Sequence, residues 1–284
     1  MEEKQKSFSL MTFNIAHGRG LSLYQGFNRA KGLFRNLDRI ASIIRKHQPD
    51  IVALQEIDAS SHWNRHINLL DYLQSATDYP YSIHGIHNRR EGAKPLAYGN
   101  AFLSKHPPLF WKVVPFGSKR LGEKGFLEAC FKIENTQIDV INLHLDFRSR
   151  RSRLRQIDQL LSSIHQRSLA DPYHLPPLIC GDFNTSSRSL QDAVHQLINR
   201  SADAENYDYV PRSERTFPTH FPSRGLDFIL LAQPYHAERT EVLRCFASDH
   251  LPVLSTLSFP KDWKSELEGS EENRASLDVS RITR

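Results

Sequence analysis

Leu178-Ile179-Cys180-Gly181-Asp182-Phe183-Asn184 is a short apolar run that ends in a glycine, a carboxylate and an amide. It reads as a buried strand that stops at a polar site. The run is too short and too abruptly ended for a helix, Pro176 and Pro177 punctuate its start, and Gly181 lets the backbone turn without a Cβ clash. Asp182 and Asn184 then emerge at the strand end. Period-two geometry points them the same way, so a carboxylate, as base or metal ligand, and a carboxamide, as neutral donor, reach one ligand. Taken alone, Gly-Asp-x-Asn is equally ordinary chemistry for an Asx-type turn.

The pattern recurs along the chain. A strand over 7–13 ends in Thr12-Phe13-Asn14-Ile15-Ala16-His17-Gly18, and a buried strand over 51–54 delivers Gln55-Glu56-Ile57-Asp58. Residues 98–104 read as a further strand, and a strand over 138–143 delivers Asn142-Leu143-His144-Leu145-Asp146. Asp227 opens an apolar strand, and Asp249-His250 precede the last one, 253–257. Helical spacing joins Leu33, Leu37, Ile40 and Ile44 behind Asn36 as N-cap, with Pro49 as the stop. It also joins Ile67, Leu70 and Leu73; Leu154, Ile157, Leu161 and Ile164; and Leu190, Val194 and Leu197. Residues 109–116 and 126–133 read as a strand pair around a loop with Lys119, Arg120 and Lys124 at its basic tip. Many short strands in two runs with interspersed helices point to an α+β sandwich, two sheets face to face with helices outside.

With 284 residues, 39% of them apolar, the chain can bury a sizeable core. No run approaches the roughly 20 apolar residues of a membrane helix, and Met1–Lys6 lacks the apolar region of a signal peptide, so a cytoplasmic protein without integral membrane association is expected. Cys130, Cys180 and Cys245 are odd in number and lie in apolar runs, which suits reduced thiols better than disulfides. No linker or repeat divides residues 1–259, which are expected to form one catalytic domain. Residues 260–284, mixed in charge and poor in apolar side chains, are expected to be a disordered tail. That tail holds five Lys/Arg and six Asp/Glu, so the net +5 of the chain leaves +6 for the rest, a surplus that favours anionic substrates.

Gathered along one edge, the strand ends offer Asn14, Glu56, Asp182, Asn184, Asp227 and Asp249 with His144 and His250. Oxygen ligands without thiolates favour a hard cation, Mg2+ or Mn2+. Two histidines add proton transfer and positive charge, and the set suits attack of an activated water on phosphorus.

On these residues the chain resembles the endonuclease/exonuclease/phosphatase superfamily, over about residues 7–259. The matching blocks are Thr12-Phe13-Asn14, Leu54-Gln55-Glu56, Gly99-Asn100-Ala101-Phe102-Leu103-Ser104, Asn142-Leu143-His144-Leu145, Gly181-Asp182-Phe183-Asn184, Leu226-Asp227-Phe228-Ile229 and Ser248-Asp249-His250. Each block is weak alone, and all in family order are strong. The resemblance implies a four-layer α/β sandwich of two facing, mostly antiparallel sheets. It implies Glu56 as principal magnesium ligand with Asn14 beside it and Asp249 at the metal. Asp182 would orient or deprotonate the water, Asn184 would hold a phosphate oxygen, His250 oriented by Asp227 would bind the phosphoryl group or move a proton, and His144 would contact the phosphate. One departure is that Gly225 stands where many members carry arginine, with Arg224 one residue further back.

The implied activity is a metal-dependent phosphoester hydrolase, foremost a phosphodiesterase or nuclease acting as a monomer. Arg148, Arg150, Arg151 and Arg153 are candidate substrate contacts that lean towards a nucleic acid or another polyanion, although such a run is also an ordinary solvated helix start. The alternative is a sphingomyelinase-like or inositol-phosphate hydrolase, with Phe110, Trp111 and Phe116 seating an apolar headgroup, though strand packing explains those aromatics more simply. An inactive phosphate-binding protein would require the loss of a key residue, and none is lost.

Overall fold

Apolar side chains alternate along the strands, and the alternation builds a core on each face of every central strand. The computed structural model describes residues 6–22, 24, 30–117, 122–170, 175–185, 193–201 and 207–259. In it the chain forms β1 (Lys6–Asn14), α1 (Ala30–His47), β2 (Ile51–Asp58), α2 (Leu69–Thr77), β3 (Tyr81–Arg90), β4 (Leu96–Ser104), β5 (Pro108–Pro115) and β6 (Gly125–Ile133). There follow β7 (Thr136–His144), α3 (Arg150–Ala170), β8 (Leu178–Asp182), α4 (Ala193–Ser201), β9 (Tyr207–Val210), β10 (Asp227–Ala232), β11 (His236–Val242) and β12 (Val253–Phe259). The strands make two six-stranded sheets, ordered β11-β12-β1-β2-β4-β3 and β5-β6-β7-β8-β10-β9. β1 and β2 run parallel across α1, and β7 and β8 run parallel across α3. The other pairings are antiparallel.

Leu10, Ile51, Ala53, Phe102, Leu127, Val140, Cys180 and Ile229 fill the space between the sheets. Their strand neighbours Met11, Val52 and Leu54 face outward onto Leu33, Leu37, Ile40 and Ile44 of α1 and Leu70 and Leu73 of α2. Ile141, Leu143, Ile179 and Leu230 face the other way, onto Ile157, Leu160 and Ile164 of α3 and Val194 and Leu197 of α4. The result is the four-layer α/β sandwich. Each such side chain removed from water contributes about 1.5–3 kcal/mol before conformational entropy is set against it.

Register then brings the polar strand ends together. Asn14 is level with Gln55 in the first sheet; in the second, Asp182 is level with both His144 and Asp227. Buried amides join the sheets at this end. Asn142 Nδ2 donates to the Leu54 and Ala101 carbonyls at 3.0 Å each, Gln55 Nε2 donates to Asn142 Oδ1 at 2.8 Å, and Asn100 Nδ2 donates to the Asn142 carbonyl at 2.9 Å.

Several expectations are corrected. Asn36 is no N-cap: α1 starts at Ala30, and Asn36 lies buried inside the helix with its Nδ2 donating to Gly18 O at 3.3 Å. Tertiary contact overrides the local capping preference there. The arginine run is itself a helix start rather than a segment ahead of one, because Arg150, Arg151, Arg153 and Arg155 fall within the first turns of α3. Phe110 and Trp111 are not packed away; on the edge strand β5 they stay 50% and 53% exposed, while Phe116 packs on Phe126. Strands β3, β9 and β11 are additions to the elements expected from the sequence. Lys119, Arg120, Leu190 and the tail from 260 lie outside the described residues.

Gly181 sits at φ +139° where β8 meets β7, and a Cβ there would come within 2.0 Å of Leu143 O. Gly181→Ala is therefore expected to cost about 2–4 kcal/mol in urea unfolding. An unchanged midpoint would show that the strand end is not held as described.

Candidate active site

Two buried carboxylates and one imidazole form the centre of the polar end. Asp182 closes β8, Asp227 opens β10 opposite it, and His250 comes from the turn ahead of β12. His250 Nδ1 donates to Asp227 Oδ2 at 2.9 Å, and its Nε2 lies 3.8 Å from Asp182 Oδ2. The Phe217 ring packs against the imidazole, centroid to centroid 4.8 Å. Burial works to lower the pKa of His250, but the carboxylates of Asp227 and Asp182 outweigh it and carry it up to about 10. Asp182 is held from the other side, its Oδ2 accepting from Asn14 Nδ2 at 2.9 Å and its Oδ1 from the Asn184 N–H at 2.8 Å. Burial raises its carboxyl to about 6 against the opposing pull of His250. A base poised there is matched to neutral pH.

Glu56 is placed differently. A bulge in the β2–β4 ladder between Gln55 and Ile57 carries it at φ +54°, a left-handed conformation that costs an L residue about 1–3 kcal/mol and persists only where surroundings impose it. The bulge turns its carboxylate into the cleft, 19% exposed. Oε1 lies 3.4 Å from Lys124 Nζ and 3.8 Å from His144 Nε2, while Oε2 lies 3.6 Å from His17 Nε2. Burial opposes its charge, but Lys124, His17 and His144 outweigh burial and hold its pKa below the usual carboxylate range. Lys124 Nζ also donates to His144 Nε2 at 2.8 Å. Burial, reinforced by that ammonium, pushes the pKa of His144 well below its ordinary value.

The cleft thus brings together Asn14, Glu56, His144, Asp182, Asp227 and His250. Asn184 adjoins them but does not share a direction with Asp182, since it lies past the strand at φ +50° and its Nδ2 donates to Leu145 O at 3.0 Å. The Asp249 carboxylate is paired with Arg19, and Ser248 beside it donates to Asn14 O at 2.8 Å. The four arginines do not converge on one point. Arg148 lies over the Phe147 ring at 5.0 Å, Arg150 and Arg151 are exposed, and Arg153 folds back to donate to Asp146 O at 2.9 Å. Arg224 stands 4.7 Å from the centroid of Phe217, so a guanidinium borders the cleft although Gly225 precedes Leu226.

Sequence reasoning misses Lys124, His17, Asp58 and Arg19 as parts of this site. Lys124 reads there only as surface charge, yet it directly precedes the strand whose Gly125 is level with His144, and that adjacency is the signal that could have found it. His17 reads from the sequence as an imidazole that follows a strand beside Asn14, but it is left out of the expected site set.

The donor set fits a hard divalent cation at Glu56, an ionised oxygen ligand open to the cleft, and Asn14 Oδ1, at the end of the neighbouring strand, accepts one hydrogen bond, from Ala16 N at 3.0 Å. Among the described residues the ligand atoms of Asp182, Asp227 and His250 also converge within 4.8 Å. Those three are buried and bonded to one another or to Asn14 and Asn184, which suits proton transfer better than ion binding.

The chain matches the family model described as Endonuclease/Exonuclease/phosphatase family over residues 11–250. No curated protein matches its sequence. Among solved structures, an endonuclease/exonuclease/phosphatase family protein from Bacteroides thetaiotaomicron superposes with TM-score 0.70 at 16% identity, covering 91% of this chain and 100% of that one. A mannosyl-6-phosphatase from the same organism gives 0.69 at 15%, covering 89% and 100%. Truncated TDP2 from Caenorhabditis elegans gives 0.61 at 18%, covering 89% and 97%. At these identities the likeness carries the fold.

In the metal-free protein, the ring nitrogens of His250 are expected to stay protonated at pH 8 in imidazole NMR and to titrate near pH 10. Asp227→Asn removes the nearest countercharge and should lower that midpoint by about 1–3 units. A neutral His250 at pH 8 would contradict the pairing.

Proposed function

The chain belongs to the endonuclease/exonuclease/phosphatase family, and on that footing we propose that it is a divalent-metal-dependent hydrolase of phosphoester bonds that works by attack of water on phosphorus. The observation that carries the reading is the imidazole of His250 set between the carboxylates of Asp227 and Asp182, beside the open carboxylate of Glu56. Glu56 with Asn14 would hold the cation, and Asp249 stands nearby; a bound Mg2+ or Mn2+ would supply Lewis-acid charge against the phosphoryl oxygens. Asp182 Oδ2 takes the proton of the attacking water as its oxygen bonds to phosphorus and the P–O bond to the leaving alcohol breaks, the departing alkoxide taking its proton from solvent water. Protonated His250 donates from Nε2 to a phosphoryl oxygen, with Asp227 fixing its ring and balancing its charge. The ammonium of Lys124, held by the neutral ring of His144, faces the same space and stabilises the negative charge that develops.

The substrate we favour is a phosphodiester of a polyanion, foremost a nucleic acid, supported by the basic balance and by the exposed Arg148, Arg150 and Arg151 in the segment that follows His144. The phospholipid reading gains nothing from Phe110 and Trp111 despite their exposure. Phe110 is level with Cys130, whereas the catalytic end of that strand is Gly125. Five residues of strand separate the two, roughly 17 Å. Phe147, Phe221 and Phe246, all more than half exposed, flank the site in sequence and are the better candidates for contact with bases or apolar groups.

Hydrolysis of bis-p-nitrophenyl phosphate should require Mg2+ or Mn2+ and cease in EDTA. Asp182→Asn and His250→Ala should each lower kcat by about 10²–10⁴. Full activity in EDTA would sink the metal reading, and full activity of Asp182→Asn the assignment of the base. On single-stranded DNA, replacing Arg148, Arg150 and Arg151 by Gln should flatten the dependence of log affinity on log salt by roughly 0.7 for each phosphate that one of these guanidinium groups neutralises. An unchanged slope would remove these arginines from the substrate path.

A further inference from the structure

We propose that His17, locked by Asp58, is a positioning residue that fixes the carboxylate of Glu56 for the cation; the inference rests on the reading of Glu56 as the metal position. The loop that carries His17 has no slack. Ala16, His17, Gly18 and Gly20 all have positive φ, at 48°, 55°, 69° and 62°. The loop is seated on α1, where Asn36 Nδ2 donates to Gly18 O and a Cβ on Gly18 or Gly20 would come within 2.8 Å of Leu33 or 2.5 Å of Asn36. An alanine and a histidine held in left-handed backbone need a reason outside the loop itself.

That reason lies at the end of the His17 side chain. Its ring is 5.2 Å from that of Trp63 and 5.0 Å from that of Tyr98, both edge-on. Nδ1 donates to Asp58 Oδ2 at 2.8 Å. Asp58 is fully buried and further oriented by Trp63 Nε1 at 3.0 Å and Asn64 Nδ2 at 2.6 Å. The Asn64 amide also donates to His17 O at 3.0 Å, closing the loop onto the same carboxylate. With Nδ1 committed, only the Nε2 edge is left to face the cleft, and it stands 3.6 Å from Glu56 Oε2. Core packing alone would not require a buried aspartate with three donors around it. Glu56 and Asp58 lie two residues apart on β2, so one strand supplies the open carboxylate and the buried one that steers its neighbour. Partners of a ligating carboxylate set its orientation, and their loss typically weakens metal binding about 10–100-fold.

The test is calorimetric Mn2+ binding to the full chain and to Glu56→Gln, His17→Ala, His17→Gln and Asp58→Asn, with thermal unfolding of each metal-free variant. His17→Ala and Asp58→Asn are expected to raise the Mn2+ dissociation constant about 10–100-fold. His17→Gln, which keeps a donor, should recover part of the loss. The double variant His17→Ala/Asp58→Asn should bind little worse than either single one. At saturating Mn2+, the single variants should regain most of their kcat, a split that a merely structural role does not produce. If His17→Ala does not fold, Asp58→Asn and His17→Gln carry the comparison. Folded His17 and Asp58 variants that bind Mn2+ like wild type, while Glu56→Gln does not, would overturn the positioning role and leave the site intact. Wild-type binding by Glu56→Gln would overturn the metal position itself, and the role of His17 with it.

Discussion

The carboxamide of Asn142 is the point on which the arrangement turns. It sits on the second sheet with no exposure, donates to two carbonyls of the first sheet, and accepts from Gln55. A buried amide left unpaired costs about 1–3 kcal/mol per group, whereas inter-sheet apolar contacts tolerate a slide far more cheaply. The apolar core therefore makes the sheets stack, and the amides select one stacking. Asn14 donating across the same gap to Asp182 extends the selection into the cleft.

From that registration follows the division of labour in the site. Glu56, Asn14 and His17 come from the first sheet and its loops, while His144, Asp182 and Asp227 come from the second, with Lys124 entering just ahead of it. Neither sheet alone holds a complete set. The buried pair Asp227–His250 and the open carboxylate of Glu56 have pKa values driven apart by opposite means. One imidazole is held charged by carboxylates, and one carboxylate is held charged by cations. Separation of that kind is what a site needs to place base, acid and metal ligand within a few ångströms of each other.

Much of this is legible in the sequence. Period-two alternation ending in Asp, Asn, Glu or His marks the strands whose ends meet, whereas the parallel pairing of β1 with β2 and of β7 with β8 is seen only in the fold. What stays hidden is set by contacts no local pattern encodes. Asn36 looks like a cap because capping chemistry is local, and its actual partner Gly18 is far away in the chain. Phe110 and Trp111 look like core because propensity does not distinguish an edge strand from a central one. Lys124 meets Glu56 and His144 only once both sheets are stacked, and His17 meets Asp58 and Glu56 only through the fold of its loop onto β2, so neither role is written in the local pattern. The short edge strands β9 and β11 carry too little apolar alternation to stand out.

On the proposed mechanism the cation belongs to Glu56 and the proton chemistry to Asp182, Asp227 and His250. The most direct measurement is a crystal structure grown with Mn2+ and a non-hydrolysable phosphate analogue, read by the anomalous signal of manganese. One manganese peak is expected against the Glu56 carboxylate, with the phosphate on His250 and Lys124 and the Asp227–His250 bond intact. Manganese seated instead among Asp182, Asp227 and His250, with that bond broken, would contradict that mechanism.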